Sequence, residues 1–229
     1  MKLTWFGHSA FLIEIGAHSL LLDPFITGNP RAEGVIRAEN LAPHEILLTH
    51  AHGDHFGDTV SIARRTGARV IADFEVTEYL RREHSHENVF AMNTGGSWRF
   101  DWGKLTMTHA LHTSSFPDGA HGGAPHGFIL EAEGKTLYAM GDTSPFSEMA
   151  WLGQDFRIDA ALIPVGDCFT MGPVTSVRAA SLVRAALYIP IHYDTFPPIE
   201  IDVSHWQQIM GDAGHKTRVL KPGESFRLD

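Results

Sequence analysis

The stretch Leu47–Thr59, LLTHAHGDHFGDT, constrains this chain more than any other. Ile46, Leu47, Leu48 and Thr49 run into it as a buried β-strand would, and His50, His52, Asp54 and His55 then arrive within six positions. A run of β-formers ending in potential ligands reads as a strand whose C-terminal end opens into a loop. In mixed α/β sheets that end of the strands is where sites are built. Four nitrogen and oxygen donors so close together cost a great deal to bury unpaired, so a metal explains them better than an exposed histidine-rich turn does. Side chains at i and i+2 turn toward one ion, while Asp54 and His55 serve a second.

The rest of the chain repeats that grammar. Lys2–Phe6, Ala10–Ile15 and Ser19–Leu22 read as short strands, with Gly16-Ala17-His18 as a hairpin turn. After Asp23-Pro24 a long loop runs to Pro43, and loops of that length are usually covers or binding loops. The Glu45–Thr49 strand and the histidine loop follow, then a helix at Thr59–Thr66, a strand at Arg69–Ala72 and a helix at Glu75–Arg82. From Phe90 the pattern turns to β, with strands at Trp98–Phe100, Lys104–Ala110, Gly127–Glu131 and Thr136–Met140. The second half then alternates: helix Phe146–Leu152, strand Ala160–Val165, helix Val177–Leu187, strand Tyr188–Ile191, helix Val203–Asp212 and strands near Arg218–Leu220 and Ser225–Arg227. Strands first, helices between and donors at strand ends in both halves predict a single α/β domain over 1–229, a four-layer αββα sandwich with the site at one sheet edge.

Composition narrows the function. A formal net charge of −9 over 229 residues argues against a general nucleic-acid binder, which needs a basic footprint. No apolar run approaches the roughly 20 residues that cross a bilayer, and the N-terminus lacks the apolar core of a secretory signal. Cys168 is the single cysteine, which excludes intrachain disulfides and fits a reducing cytoplasm. The charge does not exclude a nucleotide substrate held locally by metal ions, and an assembly of identical chains stays open. The 15 histidines are the compositional oddity that any reading must place.

Three positions beyond the first cluster share its context of an apolar run, a donor and small residues: His112 in LTMTHALHTSS, Asp142 in LYAMGDTS and His192 in YIPIHYDTF. Gly141 permits the close backbone approach that a crowded site requires. The ordered series HxHxDH, His, Asp, His resembles the metallo-β-lactamase superfamily. Gly7-His8-Ser9, Asp23-Pro24-Phe25, Gly28-Asn29-Pro30, Asn93-Thr94-Gly95-Gly96, Phe169-Thr170-Met171-Gly172-Pro173 and Pro190-Ile191-His192-Tyr193 narrow the likeness to a branch of metal-dependent hydrolases near the L-ascorbate-6-phosphate lactonases. The resemblance covers nearly the whole chain. It implies the metallo-β-lactamase fold, with His50, His52 and His112 on a first divalent metal, Asp54, His55 and His192 on a second, and Asp142 bridging both. The ions suit zinc first, with manganese, nickel or iron compatible. A water shared by two such ions is acidified toward neutrality, and the resulting hydroxide attacks an ester, lactone, phosphoester or amide of a small polar substrate. Asp54 and Asp142 take the catalytic parts, Asp54 holding the nucleophile in line.

Lesser expectations follow. His8 lies on the substrate side or behind the ligands; His126 lines the pocket; Asp167, near Thr170, accepts a ligand histidine's N–H. Cys168 is structural, His109 points away from the site, and His18, His44, His84, His86, His205 and His215 are solvated. The loops Gly28–Pro43 and Phe116–His126 set specificity. The competing functions are a phosphodiesterase or nuclease on the same scaffold, a non-catalytic metal-binding protein and a metal-binding oxidoreductase. Flavodiiron relatives carry Glu where this chain has His52, which favours hydrolysis over electron transfer.

Overall fold

The computed structural model describes residues 1–228. Two β-sheets face each other, and each is antiparallel on one side and parallel on the other. The first holds β1 (Lys2–Gly7), β2 (Ala10–Ile15), β3 (His18–Leu22), β4 (Glu45–Leu47), β5 (Arg69–Asp73), β6 (Val89–Met92) and β13 (Ser225–Arg227), in the order β13-β1-β2-β3-β4-β5-β6. The second holds β7 (Ser97–Phe100), β8 (Gly103–His109), β9 (His126–Ala132), β10 (Lys135–Ala139), β11 (Ala160–Pro164) and β12 (Tyr188–Ile191), in the order β12-β11-β10-β9-β8-β7.

Burial separates the layers. Leu3, Ile13, Leu20 and Leu22 of the first sheet join Leu105, Phe128, Leu130 and Tyr138 of the second in one apolar cluster. The alternate residues of the first sheet, among them Leu21, Ile46, Val70 and Ala72, pack instead with Ile62 and Ala63 of α2 (Thr59–Thr66) and Val76 and Leu80 of α3 (Phe74–His84). Period-two alternation thus gives one sheet two buried faces, which is why β4 and β5 read as continuous apolar runs. Ala179, Ala180 and Val183 of α5 (Pro173–Val183) and Trp206 and Met210 of α6 (Val203–Asp212) cover the second sheet, beside α4 (Met149–Asp155). This is the expected αββα order.

Some local expectations shift. The histidine loop contains one helical turn, α1 (Gly53–Phe56). The helix read at Val177–Leu187 starts four residues earlier, because Pro173 occupies the first turn, where its missing N–H leaves no intrahelical bond unmade. Arg218–Leu220 forms no strand; Thr217 makes only an isolated bridge to Tyr188. His86 is buried, its Nε2 lying 3.2 Å from the Ala68 carbonyl oxygen and 3.1 Å from that of Asn88, where solvation was expected.

Candidate metal centre

Every donor of the site leaves the C-terminal end of a strand: His8 after β1, Asp23 after β3, His50–His55 after β4, His112 after β8, Asp142 after β10 and His192 after β12. The edges of the two sheets meet there. The His126 N–H donates to the Thr49 carbonyl at 3.1 Å, and Gly141 passes so close that a Cβ on it would lie 2.7 Å from the His126 carbonyl and 3.0 Å from Thr49 Cβ. With φ at +65°, position 141 suits glycine twice over.

The ligand atoms gather into three overlapping groups whose members lie within 4.8 Å of one another: His50, His52 and His112; His50, His55 and Asp142; and His8, Asp54, His55 and His192. His50 Nε2 and His52 Nδ1 are 3.0 Å apart. Asp142 is the hub, with Oδ1 3.3 Å from His55 Nε2 and Oδ2 2.9 Å from His192 Nε2 and 3.6 Å from His112 Nε2. Asp54 Oδ2 lies 3.2 Å from His8 Nε2 and 3.8 Å from His192 Nε2. All seven residues of the expected ligand series therefore converge.

Hydrogen bonds on the far side of the rings fix which atoms face inward. Thr49 Oγ1 donates to Asp23 Oδ2 at 2.7 Å, so at 3.0 Å it accepts from His50 Nδ1–H and leaves His50 Nε2 bare. Asp23 Oδ2 also takes the His55 Nδ1–H at 2.9 Å, while Asp23 Oδ1 takes the Thr49 N–H at 2.8 Å. Asp23 thus orients two ligand imidazoles, one directly and one through Thr49. Sequence reasoning read Asp23 only as a strand stop and as part of a family motif, although it shares the strand-then-donor context of Asp142.

The inward atoms test whether divalent cations fit. His55 Nε2 and Asp142 Oδ1 are buried and face each other, yet neither has a hydrogen-bond partner. Each such orphan costs about 1–3 kcal/mol, and lone pairs aimed at shared space are what a cation requires. Electrostatics agree. Burial, then the neighbouring His55, holds His50 well below the usual imidazole range, and burial likewise lowers His52 and His112, keeping them in the neutral form that ligates. His55 is the exception: against burial, Asp142 and Asp23 raise it, so an entering cation would displace its Nε2 proton, while against burial His192 and His55 in turn lower Asp142. The residues fit a pair of divalent ions with mixed nitrogen and oxygen ligation.

The remaining expected residues lie elsewhere. His126 is fully buried behind the ligand loop; its Nε2 donates to the Leu48 carbonyl at 2.9 Å, and burial lowers its pKa to about 4. It therefore ties β9 to β4 rather than offering a free nitrogen to a pocket. Asp167 is exposed, in left-handed backbone with φ +62°, and its Oδ1 accepts the Cys168 N–H at 2.9 Å. Among the described residues no hydrogen bond or ion pair joins it to a ligand imidazole; Asp23 fills the part expected of it. Cys168 is exposed. His109 ends β8 away from the centre, edge-on to Phe146 at 5.1 Å.

Comparison with known proteins agrees with this geometry. Residues 18–193 match the family described as the beta-lactamase superfamily domain. The chain is 45% identical over 228 residues to a UPF0173 metal-dependent hydrolase of Salinibacter ruber and 44% identical over 232 residues to one of Thermus thermophilus, each match covering 100% of both proteins. Among solved structures, Igni18, a metallo hydrolase from the hyperthermophilic archaeon Ignicoccus hospitalis, superposes with a TM-score of 0.88 at 35% identity, over 100% of this chain and 99% of the other.

Proposed function

Because this chain belongs to the beta-lactamase superfamily, among its metal-dependent hydrolases, we propose that it is a dinuclear enzyme cleaving an ester, lactone, phosphoester or amide bond in a small polar substrate. The observation that carries this reading is Asp142: one buried carboxylate that reaches both proposed ligand sets, its Oδ2 facing His112 of the first and its Oδ1 and Oδ2 facing His55 and His192 of the second. A carboxylate so placed serves two cations at once. His50, His52 and His112 would hold the first, Asp54, His55 and His192 the second, and Asp142 both. When bound, the pair supplies an acidified water and a Lewis-acid contact to the electrophile.

The protein's own part is positional. Asp23 and Thr49 hold the rings of His50 and His55 in the tautomer that presents Nε2. Asp54 rides on α1, is less buried than Asp142, and has a carboxylate oxygen left to orient a nucleophile from the solvent side. The loop spanning Gly28–Pro43 and the Phe116–His126 segment flank the strand ends and set which substrate reaches them. Zinc suits the donor set, as do manganese, iron and nickel. A single cysteine suits a reducing cytoplasm, and among the described residues no helix is long and apolar enough to cross a membrane.

The test is direct. Purified protein should carry close to two transition-metal ions per chain and hydrolyse a generic ester or a bis-phosphodiester, with turnover lost in chelator. Asp142→Ala should lose ions and turnover together. If that variant keeps both ions and full activity, the ligand assignment is wrong; a coloured, oxygen-consuming protein with iron would favour an oxygenase instead.

A further inference from the structure

The seven donors leave one buried imidazole at the second ligand group without a task. His8 is fully buried, in left-handed backbone with φ +54°. Its carbonyl is held by two donors, Trp5 Nε1–H at 3.0 Å and the His192 N–H at 3.2 Å. Its ring packs 4.1 Å from that of His192 and 5.4 Å from that of His55, with Phe25 and Phe196 edge-on behind it. Strain of about 1–3 kcal/mol in a non-glycine residue persists only where the surroundings impose it. Here they aim the ring at the centre.

The hydrogen bonds decide which nitrogen points inward. His8 Nδ1 lies 2.8 Å from Thr195 Oγ1, and that hydroxyl reaches on to the Tyr193 carbonyl at 3.3 Å. Thr195 has a single proton, and the carbonyl can only accept. His8 Nδ1–H is therefore the donor to Thr195, and Nε2 is a bare lone pair. That Nε2 is 3.2 Å from Asp54 Oδ2, yet it has no hydrogen-bond partner, because an N–H on it would not lie in line with the carboxylate. Two acceptors face each other, the His8 nitrogen fully buried and the Asp54 carboxylate at the solvent side, which is repulsive unless positive charge sits beside both.

We propose that His8 Nε2 is a further ligand of the second cation, joining Asp54, His55, His192 and the bridging Asp142; the inference rests on the two-ion reading above. It makes the two positions unequal. The first has three imidazoles and a shared carboxylate, a set zinc accepts with four ligands. The second has three imidazoles and two carboxylates, so a single water completes six-fold coordination, which tetrahedral zinc resists and manganese, iron or nickel accept. The second position should therefore be the one that rejects zinc in favour of an ion that takes six ligands.

Stepwise cobalt titration of the metal-free protein, followed by calorimetry and visible absorption, tests this. Wild type should bind two cobalt ions, one of them with the weak absorption of a six-coordinate ion. His8→Ala and the more conservative His8→Gln should retain the first ion and bind the second at least tenfold more weakly, the lower end of what losing even an outer-shell partner costs, with stronger absorption as coordination falls. Wild-type protein needs no variant for the second measurement. Loaded with a spin-half cadmium isotope, it should show one-bond coupling of the metal to the His8 Nε2 resonance. Two ions bound with unchanged affinity and spectrum in both His8 variants, or an uncoupled His8 nitrogen beside coupled His55 and His192, would overturn the ligand role and leave the two-ion centre standing. A wild type that takes up only one ion would overturn both.

Discussion

Asp23 shows how much of a metal site lies outside its ligands. Its carboxylate orients His55 directly and His50 through Thr49, and it would touch no ion itself. Asp23→Ala should weaken metal binding by about 10–100-fold while the fold persists, as loss of an outer-shell partner does; competition with a chromogenic chelator would read it, and unchanged affinity would remove Asp23 from the account. The seven candidate ligand positions were legible because His50, His52, Asp54 and His55 cluster after one apolar run and because the later His112, Asp142 and His192 complete an ordered series that resembles the superfamily's. Asp23 sits in the same context, but the proline after it gave a sufficient reason for its presence. His126 and Asp167 miscarried for the opposite reason. Loop residues beside a strand end look like pocket residues, and only three-dimensional register shows that His126 faces the Leu48 carbonyl and Asp167 its own neighbour's N–H.

Elements carry their own surprises, and β5 ends on one. Asp73 caps α3, its Oδ1 accepting the Val76 N–H at 2.8 Å, while its Oδ2 is buried without a partner. Burial, with Glu75 nearby, pushes its pKa up from 3.8 to about 7. Between those values the folded chain binds the proton that the unfolded chain has released, so stability contributed by the neutral form declines as pH rises toward 7 and is gone above it. The ceiling on that loss is about 4 kcal/mol. Asp73→Asn keeps a cap acceptor and cannot ionise, so its stability relative to wild type should rise between pH 5 and pH 8, read by denaturant midpoints. A difference independent of pH would show that Asp73 titrates normally. Strand positions were largely legible, since β2, β12 and β13 begin and end where period-two or apolar runs do. Helix starts were less so. The expected helix begins only at Val177, although proline at 173 is favoured in a first turn, and Arg218–Leu220 has β-formers beside the open edge of β12 but this stretch pairs with it only at the isolated Thr217–Tyr188 bridge.

Taken whole, the molecule is two sheets whose edges are joined at one place by buried histidines and carboxylates. Cations there would act as a clasp between the layers. An ion at a thousand times its dissociation constant stabilises the folded state by about 4 kcal/mol, and a domain of this size shifts its midpoint by about 2–4 °C per kcal/mol. Removing two such ions should therefore lower the melting temperature by more than about 10 °C, restored on adding manganese; a midpoint indifferent to chelator would mean that the sheets hold together unaided. The clasp also has an order of assembly. The carbonyl of His8 is gripped by the main chain of His192 and its ring by Thr195, while β1 completes its edge only by pairing with β13 near residue 226. A polypeptide leaving the ribosome displays its first histidines long before those partners have been made. Such a nascent chain can capture a stray ion on His50 and His52, but it cannot finish the centre until translation is nearly over. Filling of both positions would thereby wait until His192 and Thr195 are in place, late in the chain.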